Sequence, residues 1–199
     1  DKSFSSFFRD KKFFLKAIRD YKIKKLDLRN SFYKFAIKKC KDNGKLIGFA
    51  VQDLKKINFL KSNKVDFYKI LNEDINNKEL IKTISKDKNA LKIISTSSNS
   101  INQIDKAIKL INQNSKIIIT ITDFNRKLNF KNLKKIKKYK KIFKLKVGYG
   151  NHSNLNTLGK IFKYKPDFLL AYVKLDNLKV YPDNNHAINL KYLEKYLRI

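Results

Sequence analysis

Residues 65–81 read VDFYKILNEDINNKELI, and this stretch decides the fold. An apolar, β-prone run carries Lys69 near its end, a polar loop follows with Glu73 and Asp74, and a helical pattern starts at Glu79. Asn76 or Asn77 offers the side-chain oxygen that caps such a helix. A strand, a short polar loop and a helix in succession form the unit from which parallel sheets are built.

The unit recurs on both sides. Apolar, β-rich runs lie at 46–51, 67–71, 91–96 (LKIIST), 117–122 (IIITIT), 145–149 and 168–173, and VGYGNH at 147–152 closes on a histidine. Helical segments fall between them. Gln52 and Asp53 lead into one ending near Leu60, Ser100 caps 101–112, and Asn154 or Asn156 opens the segment to Tyr164. Upstream, Asn30 caps a helix that runs through Lys41 and closes on Asp42-Asn43-Gly44; residues 190–197 form a terminal helix. Strands alternating with helices without long gaps predict an α/β fold with parallel strands. Lys69 with a carboxylate five residues on, at Asp74, is the pairing a (β/α) barrel enzyme sets around an anionic substrate. A closed barrel takes eight strands and about 250 residues. The 199 residues here hold about six units, which predicts an incomplete TIM (β/α)8-type barrel in a single domain over 1–199.

The formal charge of +30 comes from 42 Lys and only 5 Arg against 17 acids. Arginine is the residue that bidentate phosphate and base-edge recognition favours, and the lysines are spread over nearly every helix. This reads as a solvated coat on a compositionally biased chain and predicts no specific nucleic-acid partner. The densest basic run, 131–146, interleaves Leu133, Ile136, Tyr139, Ile142 and Phe143 at helical spacing, the pattern of an amphipathic helix packed on a sheet. One cysteine, Cys40, permits no internal disulfide and is read as buried filler. No apolar run reaches the about 18 residues a membrane span needs, so the cytoplasm is the expected location and no membrane partner is expected.

In order and spacing, KILNEDINN (69–77), STS (95–97), TITDF (120–124), VGYGNH (147–152), AYVKLD (171–176) and YPD (181–183) resemble the strand-end motifs of the sialic acid synthase family, the PEP-dependent synthases of N-acetylneuraminate and related nonulosonic acids. The resemblance covers 44–183. The family's first two strands, with an AEIG-like acid and a KFQ-like lysine, have no counterpart here, nor does its C-terminal antifreeze-like domain; residues 1–27 resemble the variable connection after the second strand. A fragment is therefore expected, unable by itself to condense substrates.

The resemblance implies condensation of phosphoenolpyruvate with an N-acyl hexosamine such as N-acetylmannosamine. C3 of PEP attacks the open-chain aldehyde, water attacks C2, and phosphate leaves with C–O cleavage; Mn or Mg polarises the aldehyde. It assigns Lys69 to PEP, Asn72 and Ser95 to phosphate, Asp74 to the catalytic acidic position, Asp123 and Phe124 to the substrate side, and Asp183 to the acid of the family's GPD. His152 matches a metal ligand, with Asp74 as its candidate companion.

The departures fall in the same motifs. Asn72 replaces a serine, Ser97 a glycine, Gly150 a phosphate-binding serine and Asn151 an aspartate; Thr120 and Ile121 replace His-Cys, and Phe124 lacks the tyrosine hydroxyl. Tyr172 stands where the second metal histidine belongs, which implies weakened metal binding, while His186 reads as a surface residue. A non-catalytic descendant that keeps the barrel as a binding or structural module is the alternative. A homodimer is compatible with the family but is not inferable from these residues.

Overall fold

The computed structural model describes residues 28–111, 114–124, 127–152, 157–175 and 186–193. By its contacts the chain divides into two compact units, Asp1–Ile47 and Gly48–Ile199.

In the first unit the described element is α1 (Asn30–Asp42), which starts one residue earlier than the capping pattern predicts, with Arg29 at the cap and no side-chain cap bond. Its end matches expectation. Asn43 and Gly44 return their N–H groups to Cys40 and Lys41, and Gly44 takes the positive φ of 63° that glycine tolerates. Cys40 is half-buried, not the buried filler expected, because α1 hides a single residue completely, Ile37.

The second unit alternates strand and helix: β1 (Gly48–Ala50), α2 (Leu54–Ser62), β2 (Phe67–Ile70), α3 (Lys78–Ser85), β3 (Leu91–Thr96), α4 (Ile101–Leu110), β4 (Ile117–Asp123), α5 (Phe130–Phe143), β5 (Lys146–Asn151), α6 (Leu158–Phe162) and β6 (Leu169–Leu170). The six strands form one sheet in the order β1-β2-β3-β4-β5-β6. Every pair is parallel, Lys92 matching Ile117 in register. Sequential parallel order with helical crossovers is the wall of a (β/α) barrel, here incomplete.

Local chemistry explains the boundaries. Asp53 accepts from the N–H of Lys55, Asn77 from Leu80, and Ser100 makes a full capping box with Gln103. The strand β4 is apolar along most of its length, and α5 packs on both β4 and β5. On that helix Leu133, Ile136 and Tyr139 are buried, whereas Ile142 is exposed in the last turn.

Two features depart from the sequence reading. The run expected as one strand over 168–173 is interrupted at Ala171 and Tyr172. Before the break β6 pairs with β5; after it β7 (Val173–Lys174) pairs in parallel with β8 (Ile188–Asn189), so the chain hands over from one neighbour to the next. The strand β8 lies in a stretch expected to be loop and tail, and a 3-10 turn follows it at Leu190–Tyr192; residues 194–197 of the expected terminal helix lie outside the described residues. The second departure is Lys92, which belongs to no solvated coat. It is fully buried, and its Nζ donates to the carbonyls of Asp87 and Ala90 and to Ser115 Oγ. Burial lowers its pKa while the charge of Asp87 opposes the shift. Tyr68 donates to the same aspartate at 3.0 Å.

Candidate functional site at the C-terminal strand ends

Register decides which side chains share a face. Partners in a parallel ladder point the same way, so the pairs Lys69↔Ile93, Ser95↔Thr120, Thr120↔Gly148, Thr122↔Gly150 and Gly150↔Leu170 define one face. Tyr68, Ile70, Ile94, Ile119, Ile121, Val147 and Tyr149 line the opposite, helix-covered face and are all buried. Lys69 and Ser95, both picked from sequence, thus fall together with Thr120 and Thr122 on the first face. Ser95 Oγ lies 2.7 Å from Thr122 Oγ1, so the threonine orients the serine hydroxyl.

Asp123 falls on the other face. Its Oδ2 accepts from the Tyr149 hydroxyl at 2.8 Å and from the Asn129 N–H at 3.2 Å, and the residue is 2% exposed. Burial, then that hydrogen bond and the aspartate's charge, push the Tyr149 phenol far above its ordinary value, so it remains a donor. Asn129 in turn caps α5 through the N–H groups of Lys131 and Asn132. Asp123 therefore braces the corner between β4 and α5.

The loops above the sheet are tied to one another. Asn99 donates to the Asn72 carbonyl at 3.0 Å and accepts from the Ser97 N–H, joining the loop after β2 to the loop after β3. Lys135, from α5, donates to the Ser97 carbonyl at 2.9 Å. Its pKa is lowered by burial, with the charge of Asp123 acting against the shift and that of Lys138 with it. Glu73 is held by Gln52 at 2.7 Å. Asp74 is half-buried, and its buried Oδ2 has no hydrogen-bond partner. Burial first, and the charge of Glu73 second, raise its pKa.

Past β5, His152 is 7% exposed and ringed by aromatic side chains: Phe124 at 5.0 Å, Tyr172 at 4.5 Å and His186 at 4.3 Å between ring centroids. His186 is no isolated surface residue. It meets Tyr172 edge-on at 4.8 Å and 85°, because Ile188 donates to the Tyr172 carbonyl and anchors the residues before β8 beside the break after β6. The available sequence signal was slight, a second histidine just ahead of an Ala-Ile pair. Among the described residues no three His, Cys, Asp or Glu side chains gather as a metal-holding group, so Asp74 does not join the two histidines in one. Asp183 lies outside the described residues.

Comparison with known proteins bears on this arrangement. The sequence model of the NeuB family matches residues 10–161, more than half of the chain. The chain belongs to the NeuB family. Among solved structures it is similar to an N-acetylneuraminic acid (sialic acid) synthetase from Leptospira borgpetersenii serovar Hardjo-bovis, with 19% identity, a TM-score of 0.78, and 86% of this chain and 61% of that one covered. It is also similar to the spore coat polysaccharide biosynthesis protein spsE from Bacillus subtilis, with 19% identity, a TM-score of 0.71, and 80% and 46% coverage. A truncated 3-deoxy-D-arabino-heptulosonate 7-phosphate synthase from Thermotoga maritima aligns at 11% identity and a TM-score of 0.74, with 86% and 70% coverage. At such identities these likenesses speak for the fold. A search of curated proteins found no match. The chain thus spans 61% and 46% of the first two structures.

Within the NeuB family fold, Lys69 and Ser95 lie on one face of the sheet, and His152 follows the end of β5. Phe124 and His152 are brought together, while the Asp123 carboxylate is turned to the helices. No helix among the described residues is long and apolar enough to cross a membrane.

Proposed function

We propose that this chain is part of the barrel of a PEP-dependent nonulosonic acid synthase, an enzyme that condenses phosphoenolpyruvate with an N-acyl hexosamine of the N-acetylmannosamine type. The observation that carries the reading is the run of family motifs in which Lys69, Ser95 and His152 belong to parallel strands of one sheet, or the residue just past one, in a NeuB-family chain. Lys69 supplies positive charge for the PEP carboxylate or phosphate, and the Ser95–Thr122 hydroxyl pair adds donors beside it. Asp74, its carboxyl raised by burial, is suited to hold a proton above the ordinary carboxylate range. His152 fits a divalent ion, which when bound would polarise the sugar aldehyde; its imidazole suits manganese better than magnesium, which prefers oxygen ligands.

The experiment has two arms. Calorimetric titration of PEP into the chain should show binding that Lys69→Ala weakens by roughly tenfold or more, the worth of one charge-assisted hydrogen bond. Phosphate release that depends on both PEP and N-acetylmannosamine should appear in the protein carrying a complete barrel. Absence of PEP binding to the chain sinks the reading. Binding without turnover by the complete barrel would select the non-catalytic descendant, which the loss of donors at Gly150 and Phe124 favours.

A further inference from the structure

We propose that His186 is the second imidazole of a transition-metal site with His152, doing from the start of β8 what the family's histidine does at the position here held by Tyr172. The inference rests on the reading of His152 as a metal ligand and adds a residue that the motif comparison assigned to the surface.

Three observations carry it. The chain contains two histidines, separated by 34 positions (186 − 152), and folding brings their rings to 4.3 Å with a tilt of 39°. The Nε2 atoms of both rings are buried. The approach is fixed by the backbone, since Val173 pairs with Ile188 and the Ile188 N–H donates to Tyr172 at 2.7 Å. That register lays His186 alongside the break between β6 and β7, so both Tyr172 and His186 reach the His152 ring.

The spacing suits ligation of one ion. A histidine nitrogen sits about 2.1 Å from a bound dication and the ring centre roughly an ångström further, so two imidazoles at about a right angle have centroids about 4.6 Å apart. The observed 4.3 Å needs only a small adjustment. Two imidazoles select manganese, cobalt, nickel or zinc over magnesium and calcium. Tyr172 is the poorer donor, because its phenol stays protonated at neutral pH. It serves as a wall of the site, with Phe124 on another side of His152.

The test needs neither PEP nor sugar. In a Cys40→Ser background, which removes the one thiol, Zn2+ is titrated calorimetrically and Co2+ is followed by its visible absorption. About one equivalent should bind. His186→Ala and His152→Ala should each weaken binding by more than about a hundredfold, beyond the roughly 10- to 100-fold loss that a supporting residue produces. Tyr172→Phe should bind as the parent does. Tyr172→His combined with His186→Ala should restore binding, which separates loss of a ligand from loss of fold. Parent-like affinity in His186→Ala overturns the inference, and if His152→Ala still abolishes binding the reading of His152 survives. No stoichiometric binding by the parent makes the rings an aromatic cluster only and overturns both. Failure of the restoring pair in a folded protein overturns the equivalence of the two positions.

Discussion

Tyr149→Phe tests the brace that holds the corner between β4 and α5. The substitution removes one oxygen and keeps the ring, so the apolar burial of Tyr149 is unchanged and no cavity opens. What is lost is a 2.8 Å hydrogen bond to a carboxylate 2% exposed. A bond to a charged group is worth about 1.5–3 kcal/mol, and a buried acceptor that loses a donor sits toward the upper half of that range. We therefore expect a loss of about 2.5 kcal/mol, or roughly 5–10 °C in Tm for a domain of this size. Urea unfolding followed by far-UV circular dichroism should show a lower midpoint with an unchanged slope. Combined with Asp123→Asn, which takes the charge from the acceptor, the two changes should be non-additive by about 1 kcal/mol or more, since both act on the same contact. A loss below about 0.5 kcal/mol, or strict additivity with Asp123→Asn, would refute the brace.

Three further outcomes follow from the same geometry. Asp167 accepts from the Val147 N–H at 2.7 Å and pairs with Lys140; burial pulls its pKa up, but the Lys140 bond, the Val147 bond and the charges of Lys140 and Lys146 together hold it below its ordinary value. A depressed carboxylate stabilises the fold above its unfolded pKa and loses that contribution as pH falls through the folded one. Asp167→Ala should thus cost about 1–2 kcal/mol at neutral pH, allowing for solvent screening of a pair 32% exposed, and progressively less below about pH 4 in chemical unfolding; a cost that persists in acid contradicts the assignment. Lys144 ends α5 at φ 55°, a left-handed position that favours glycine, so Lys144→Gly should raise stability by up to about 1 kcal/mol, whereas Lys144→Val should lower it. Finally, if the lysines are a solvated coat, binding to DNA or RNA should be weak, indifferent to sequence and lost near physiological salt, and tight sequence-selective binding in that salt would overturn this reading of the +30 charge.

The sequence by itself determined the repeating unit. Period-two and continuous apolar runs, with Asp53, Asn77 and Ser100 at the helix starts, are local signals, and they placed β2, β3 and β4 to within a residue at either end. The motif order at the strand ends was also legible, because each motif is contiguous in the chain. Tertiary structure decided what depends on pairing. The break at Ala171 and Tyr172 could not be read from AYVKLD, since it arises when the chain changes its hydrogen-bonded neighbour from β5 to β8. Asp123 looked like a site residue because it falls in the TITDF stretch that resembles a family motif, but the one-residue alternation of the ladder turns its carboxylate to Tyr149 and the helices. Lys92 was one lysine among 42 until the folded chain closed around its Nζ with the carbonyls of Asp87 and Ala90. The meeting of His152 with His186 is the same kind of fact: two side chains far apart in sequence become neighbours through a two-residue parallel ladder, which no periodicity in the sequence records.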